Sequence, residues 1–267
     1  MARLSLRHGS PDLGDDAGFL ILNDFVQPSS ALSAVDVASR INQLLPLKDL
    51  DRLDTHDVDK VEGFLWAIWD TFIHVAKQIP HDHPAQQRLV QVIVELTQFP
   101  PVVIKLWGVE TRIWNDLPLL GASMREAWAP PTSDAETVSQ ESAAEWRSLN
   151  SFAARMMRTG LVQWTNFAIW TMRDALEQQN PPGPVLDCAV ATASEWIIHS
   201  HEVLFKQCAN GDFGSEGSQS TLGGPLYNGN AGLSLDRWQF WKQRFRELSE
   251  QVNGQVKQDA ADAADNM

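Results

Sequence analysis

The sequence predicts an all-α protein: a single globular bundle of helices around one long, central apolar helix, with irregular loops and no sheet. Several segments repeat apolar residues every three or four positions, which is the spacing of one helix face. Hydrophobic residues make up 43% of the 267 residues, enough for a core that needs no disulfides. The most apolar long segment, residues 184–209, carries its ionisable residues in one narrow stripe. We therefore expect this segment to form the central helix.

The composition divides the chain into three regions. Residues 1–17 are rich in Gly, Asp, Ser and Pro, and we expect a flexible N-terminal arm. Residues 18–253 are expected to form one helical domain. Residues 254–267 place aspartates among alanines, and we expect a disordered acidic tail. Both ends carry too little apolar surface to offset the entropy that a chain loses when it is ordered.

The first half of the chain carries clear helix signals. Ser33 is a good N-cap residue, and Pro84 suits the first turn of a helix. Prolines after residue 100 favour a bent path. The expected elements are an extended piece or helical turn at 18–26, helices at 33–45, 57–79 and 84–99, and one short helix with an irregular segment at 102–120.

The second half alternates helices with polar loops. Ser234 can cap the last helix, whose apolar stripe contains Trp238 and Trp241. The long loop at 210–232 contains the sequence GGPLYNG; we expect its first half to be mobile and residues 222–230 to lie against the core as a lid. The expected elements are an exposed loop at 130–142 and helices at 141–158, 161–179, 184–209 and 235–252.

Charge and composition exclude several classes of partner. The net charge of −13 disfavours nucleic acid and anionic membrane surfaces, since both require clustered Lys and Arg. No signal peptide pattern and no apolar run of membrane-spanning length is visible. Cys188 and Cys208 lie twenty positions apart on one predicted helix and cannot pair with each other. We expect a cytoplasmic protein.

The predicted central helix carries the strongest candidate for chemistry. Glu195, His199 and Glu202 follow one another at about one-turn spacing and project the same way. A carboxylate and an imidazole in this arrangement can act as an acid–base pair, line a pocket or bind a metal, but a solvated stripe of ion pairs is the simplest interpretation. Arg155 and Arg173 are further catalytic candidates. Familiar nucleotide, hydrolase and zinc motifs are absent from the sequence, and we expect neither a metal nor a cofactor.

Aromatic residues supply the candidates for ligand binding. The chain has eleven tryptophans and one tyrosine, and indole rings suit both helix–helix contacts and the walls of a pocket. Core packing is the simplest interpretation for most of them. The residues predicted to bind a ligand are Trp164, Trp196, His201, Tyr227, Trp238 and Arg244.

Seven stretches of the sequence resemble a family of fungal, all-helical proteins described only as a domain of unknown function. They extend from about residue 64 to residue 248, and their combination is specific although no single stretch is. The resemblance implies a fungal intracellular protein but supplies no shared reaction and no site residues. The stretches are LWAIWDTFIHVAKQIPHDHPAQQRLV, WNDLPLLGASMREAW, LNSFAARM, FAIWTMRDALE, ASEWIIHSHEVLF, GGPLYNG and LDRWQFWKQRF.

Three functions are compatible with these observations. The first is a binding module whose Trp-rich groove or pocket holds an apolar small molecule or a partner peptide. The second is a tailoring enzyme of fungal metabolism that uses acid–base residues in an apolar cavity. The third is a structural subunit of a larger complex. The sequence does not decide whether the protein is an enzyme.

Overall fold

A computed structural model describes residues 3–8, 17–47, 55–131, 138–211 and 219–267. The all-α prediction is confirmed, because these residues hold ten α-helices and only one short two-stranded hairpin. Within the described residues, no helix combines the length and the hydropathy needed to cross a membrane. The chain divides into two compact units, Met1–Pro130 and Pro131–Met267. That residues 18–253 form one domain stays a prediction.

The first unit contains five helices and the hairpin in its described part. Ser33 caps α2 as predicted: its side chain accepts a hydrogen bond from the Asp36 backbone, and the Asp36 carboxylate accepts one from the Ser33 backbone. The short run at the start forms a true helix, α1. The elements are α1 (Ala17–Val26), α2 (Ala34–Gln43), α3 (Thr55–Gln78), α4 (Ala85–Leu96), β1 (Val103–Leu106), β2 (Val109–Arg112) and α5 (Leu120–Ala127).

The hairpin contradicts the prediction of no sheet and of one short helix with an irregular segment at 102–120. Strands β1 and β2 pair antiparallel, with Val103 opposite Arg112 and Leu106 opposite Val109. Ile104 and Leu106 are buried while their neighbours are exposed, which is the alternation of a half-buried strand. The turn consists of Trp107 and Gly108, both at positive φ. The prediction failed because four-residue strands show too few alternations to stand out.

The N-terminal segment is anchored where it is described. The backbone N–H of Leu4 donates to Gln27 at 3.0 Å, and the Gln27 amide donates back to the Leu4 carbonyl at 3.2 Å. The Arg7 backbone N–H donates to Gln78 on α3 at 2.6 Å. The prediction of a flexible arm therefore fails for residues 3–8, while residues 9–16 lie outside the described part of the chain. Backbone bonds to two glutamines order a segment that has little apolar surface.

The second unit contains five further helices, and the longest is the predicted apolar one, α8. The predicted single helix is bent, because Ser200 leaves helical geometry at φ −141° and ψ 16° while its hydroxyl donates to the Trp196 carbonyl at 2.6 Å. Helices α6, α7, α9 and α10 all pack on α8. The helices are α6 (Gln140–Arg158), α7 (Thr165–Leu176), α8 (Pro184–Asn210), α9 (Leu235–Ser249) and α10 (Gly254–Asn266).

Helix α10 overturns the prediction of a disordered tail at 254–267. Ala260, Ala263 and Ala264 are buried, and their spacing forms one narrow stripe that packs on α8 and α9. Asp259 is 7% exposed and pairs with an arginine of α6. The prediction counted apolar side chains, whereas alanine has the highest helix propensity and lets helices approach closely.

Candidate functional site

The predicted acid–base stripe is realised in part. Glu195 and His199 stand one turn apart on α8, and the His199 Nε2 lies 3.2 Å from the Glu195 Oε2. The Glu195 side chain is only 1% exposed and that of His199 14%, so the interpretation as a solvated stripe fails for this pair. Glu202 follows the bend at Ser200 and is exposed. The bend thus separates Glu202 from the other two residues.

A half-buried arginine completes the cluster. Arg147 on α6 donates from Nε to the Glu195 Oε1 at 2.7 Å and from Nη2 to the Asp259 Oδ2 at 2.7 Å. The four residues therefore join α6, α8 and α10. Sequence reasoning missed Arg147 and Asp259, because the first follows no motif and the second was assigned to a disordered tail.

Burial and two neighbouring arginines favour the neutral form of the imidazole in this cluster. Burial lowers the pKa of His199, and the positive charges of Arg155 and Arg158 lower it further, whereas the hydrogen bond to Glu195 raises it. Burial also favours the neutral form of the Cys188 thiol and so raises its pKa, although the hydrogen bond with Thr192 and the charge of Arg147 oppose this shift. An imidazole bonded to a carboxylate can take part in proton transfer. In this cluster the Glu195 carboxylate also accepts a hydrogen bond from Arg147.

The remaining predicted arginines do not join this cluster. Arg155 is half-buried on α6, and it acts on His199 through its charge. Arg173 donates to the Leu222 carbonyl at 3.4 Å, at the start of the GGPLYNG loop. Arg244 donates to the Leu176 carbonyl at 3.0 Å and to an exposed glutamate of its own helix. Each of these last two side chains holds backbone in place.

The aromatic residues predicted to bind a ligand lie in the core of the second unit. Trp164, Trp196 and Trp238 are at most 6% exposed. The indole N–H of Trp196 donates to Asn150 at 2.9 Å, and that of Trp238 donates to the Met267 carbonyl at 3.2 Å. His201 bonds the carbonyl one turn earlier in α8 at 3.1 Å. Aromatic clusters are present, and all three indoles lie in the core; the N–H donors of Trp196 and Trp238 are satisfied there.

The GGPLYNG loop is ordered against the second unit, around a buried ion pair that sequence reasoning missed. Glu177 and Arg237 are both 0% exposed. Arg237 donates from Nε to the Glu177 Oε1 at 2.7 Å and from Nη2 to the Glu177 Oε2 at 3.0 Å. Its other N–H groups donate to the carbonyls of residues 221, 222 and 232, so all five donors of the guanidinium are used.

The loop closes on Glu177 as well. The Glu177 carboxylate accepts from the Gly224 backbone at 2.6 Å and from the Trp241 indole at 2.6 Å. A side chain at Gly224 would come within 2.8 Å of the Glu177 backbone, so the close approach requires glycine. Tyr227 is 8% exposed and packs on Phe240 and Arg237. The predicted mobile half of the loop lies largely outside the described residues.

Trp107 behaves unlike the other tryptophans. All eleven lie in the described part of the chain; seven are buried, three are half-buried, and Trp107 is 69% exposed. It stands at the tip of the hairpin with Val109, which is 65% exposed. Its indole N–H donates to the Glu62 Oε1 on α3 at 3.0 Å. The first unit therefore presents a fixed aromatic ring to solvent.

A cavity and possible metal ligands were the other places to look for a site among the described residues. A polar cavity of about 320 Å³ in the first unit is lined by Arg3, Asp24, Gln27, Pro28 and Ser29, without a tryptophan. Among the described residues, no three His, Cys, Asp or Glu side chains are grouped in a way that could hold a metal ion.

Comparison with known proteins identifies the family. The sequence model of the family described as "Protein of unknown function (DUF3632)" matches residues 69–245, more than half of the chain. The chain belongs to the DUF3632 family. The DUF3632 segment includes Trp107, Arg147, Glu177, Glu195 and Arg237, and it ends before α10. No curated protein and no solved structure matches the chain significantly.

Proposed function

We propose that this DUF3632 protein is a binding module for a partner protein, and that the tip of the β1–β2 hairpin is its contact surface. The exposure of Trp107, in a chain that shields its other ten tryptophans, is the observation that carries the proposal. Tryptophan is enriched at the centres of protein interfaces, where its large ring supplies binding energy.

The backbone at Trp107 supports this proposal. Trp107 has φ 49° and Gly108 has φ 85°, as in the tight hairpin turns that favour Asn-Gly. A left-handed backbone costs a residue other than glycine roughly 1–2 kcal/mol. Trp107 therefore adds strain and buries little surface, so neither turn chemistry nor core packing accounts for it. A role in binding does.

Site-specific cross-linking tests the proposal. A photoreactive phenylalanine analogue placed at Val109, with Trp107 retained, is expected to cross-link one discrete protein in the cells that make this chain. The same analogue at Leu20, a residue of α1 that is 55% exposed, serves as the control for general surface contact. Cross-linking should disappear when Trp107→Asn is added. Equal cross-linking at both positions, or persistence with Trp107→Asn, would contradict the proposal.

An acid–base enzyme is the second candidate function. It is favoured by the hydrogen bond between His199 and Glu195, both well shielded from solvent. Its substrate would be an apolar small molecule. Mass spectrometry of small molecules that co-purify with the wild type, but not with His199→Gln, would support it. Identical small-molecule profiles for both forms would leave the binding module as the better proposal, either as a free adaptor or as a subunit of a complex.

A further inference from the structure

The surroundings of Trp107 indicate which kind of partner it fits. The indole N–H donates to the Glu62 Oε1, which fixes the ring beside α3, and the residue is still 69% exposed to solvent. The Glu62 Oε2 has no partner among the described residues. An aromatic face next to a carboxylate oxygen is an arrangement that attracts cations.

The positive side chains of this region each lie beside a carboxylate other than Glu62. Lys60 pairs with Asp57 at 3.3 Å on α3, and Arg112 is bonded to Asp116 at the base of the hairpin. Lys105 lies directly opposite Glu110 in the hairpin register. The carboxylate of Glu62 is thus left without a cation of its own, in a chain whose net charge is −13.

From these observations we infer that Trp107 and Glu62 together recognise a basic segment of the partner protein, with an Arg or Lys side chain laid across the indole. A guanidinium can stack flat on the ring and donate to the Glu62 Oε2, so arginine suits the site best. The negative charge of the chain would speed the encounter with such a segment. This inference rests on the proposed function, since it assigns a partner class to the same surface.

A peptide titration tests the inference without the natural partner. The probe is a short peptide of alternating glycine and arginine, and its control replaces each arginine with citrulline, which keeps the shape and removes the charge. Nitrogen-15 NMR follows the indole signals, and the signal of Trp107 is assigned by its loss in Trp107→Phe. We expect the arginine peptide to shift the Trp107 signal and the citrulline peptide to leave it in place.

Three variants separate a specific site from general attraction. Trp107→Asn should weaken binding about tenfold. It should not lower the melting temperature, because Asn-Gly is a favoured sequence for this turn. Glu62→Gln should weaken binding about fivefold, whereas Glu110→Gln, which removes the same charge on the hairpin, should change it by less than about twofold. Equal losses for Glu62→Gln and Glu110→Gln would overturn the inference and leave only long-range attraction.

The two proposals fail in different ways. If cross-linking at Val109 depends on Trp107 but the arginine peptide does not bind, the proposal of a binding module is supported and the inference of a basic partner is wrong. If the peptide binds as expected but no protein cross-links in cells, the cation site is supported and its assignment to a partner protein is wrong.

Discussion

At the scale of single residues, the Glu177–Arg237 pair is the most demanding feature of the second unit. Both side chains are buried, and a buried charge is tolerated only when it is paired and hydrogen-bonded. Glu177→Gln would leave the Arg237 guanidinium without its counter-charge. We expect a loss of about 3–5 kcal/mol in the free energy of unfolding, measured by urea denaturation.

The matched control is the surface pair of Arg244 and Glu247, which also bonds at hydrogen-bond distance. The Glu247 side chain is 43% exposed, so solvent screens the pair. Glu247→Gln should change the free energy of unfolding by less than about 1 kcal/mol. If both variants lost equal stability, burial would not be what makes the first pair important.

His199 gives the stability of the fold a pH dependence. Because burial lowers the pKa of folded His199 below its ordinary value of 6.5, the unfolded chain takes up this proton first as the pH falls. The free energy of unfolding should therefore decrease below pH 6.5, and His199→Gln should make this decrease shallower. Denaturation between about pH 7.5 and about pH 5.5 measures it.

At the scale of elements, α10 shows what a composition-based prediction overlooks. Three buried alanines and the hydrogen bond that Arg147 donates to Asp259 hold it. Asp259→Asn should cost about 1.5–3 kcal/mol and speed hydrogen exchange of the α10 amides. Asp262→Asn, on the exposed side of α10, should stay within about 0.5 kcal/mol of the wild type. Unchanged exchange in Asp259→Asn would mean that the alanine stripe alone holds the helix.

Most helices were predictable because each repeats its apolar residues over three turns or more. The cap at Ser33 and the end of α3 before Pro80 are local signals that need no tertiary information. The hairpin was missed because its signal is short, and the bend at Ser200 because it depends on a side chain bonding to its own helix. A structural feature that shows no repeated pattern along the sequence is difficult to predict from one sequence alone.

The site was less predictable than the fold for the same reason. Glu195 and His199 were found because they are four residues apart, within one helix. Arg147 lies 48 positions before Glu195, and Arg237 lies 60 positions after Glu177. No periodic pattern links residues at such separations. Exposure of Trp107 likewise depends on the hairpin, which the sequence did not reveal.

At the scale of the whole molecule, the distribution of tryptophans predicts a simple optical behaviour. Ten indoles are shielded to some degree, and Trp107 is open to solvent. Acrylamide should therefore quench a small, accessible part of the native fluorescence, and Trp107→Phe should remove that part. Trp170→Phe, at a half-buried position, is the matched control and should preserve it. Extensive quenching that survives Trp107→Phe would show that the cores open in solution.

The bonds of Arg237 have a consequence for how the long loop is secured. The Arg237 guanidinium donates to the carbonyls of residues 221 and 232 and is itself held by the carboxylate of Glu177, the residue that follows α7. Many proteins stabilise such loops with a disulfide or a zinc ion. A reductant cleaves the disulfide, and a chelator removes the zinc. In this protein the loop is held by hydrogen bonds of the Arg237 and Glu177 side chains. Neither a reductant nor a chelator breaks these hydrogen bonds. The stability of this loop should therefore not depend on the redox state or the metal supply of its surroundings.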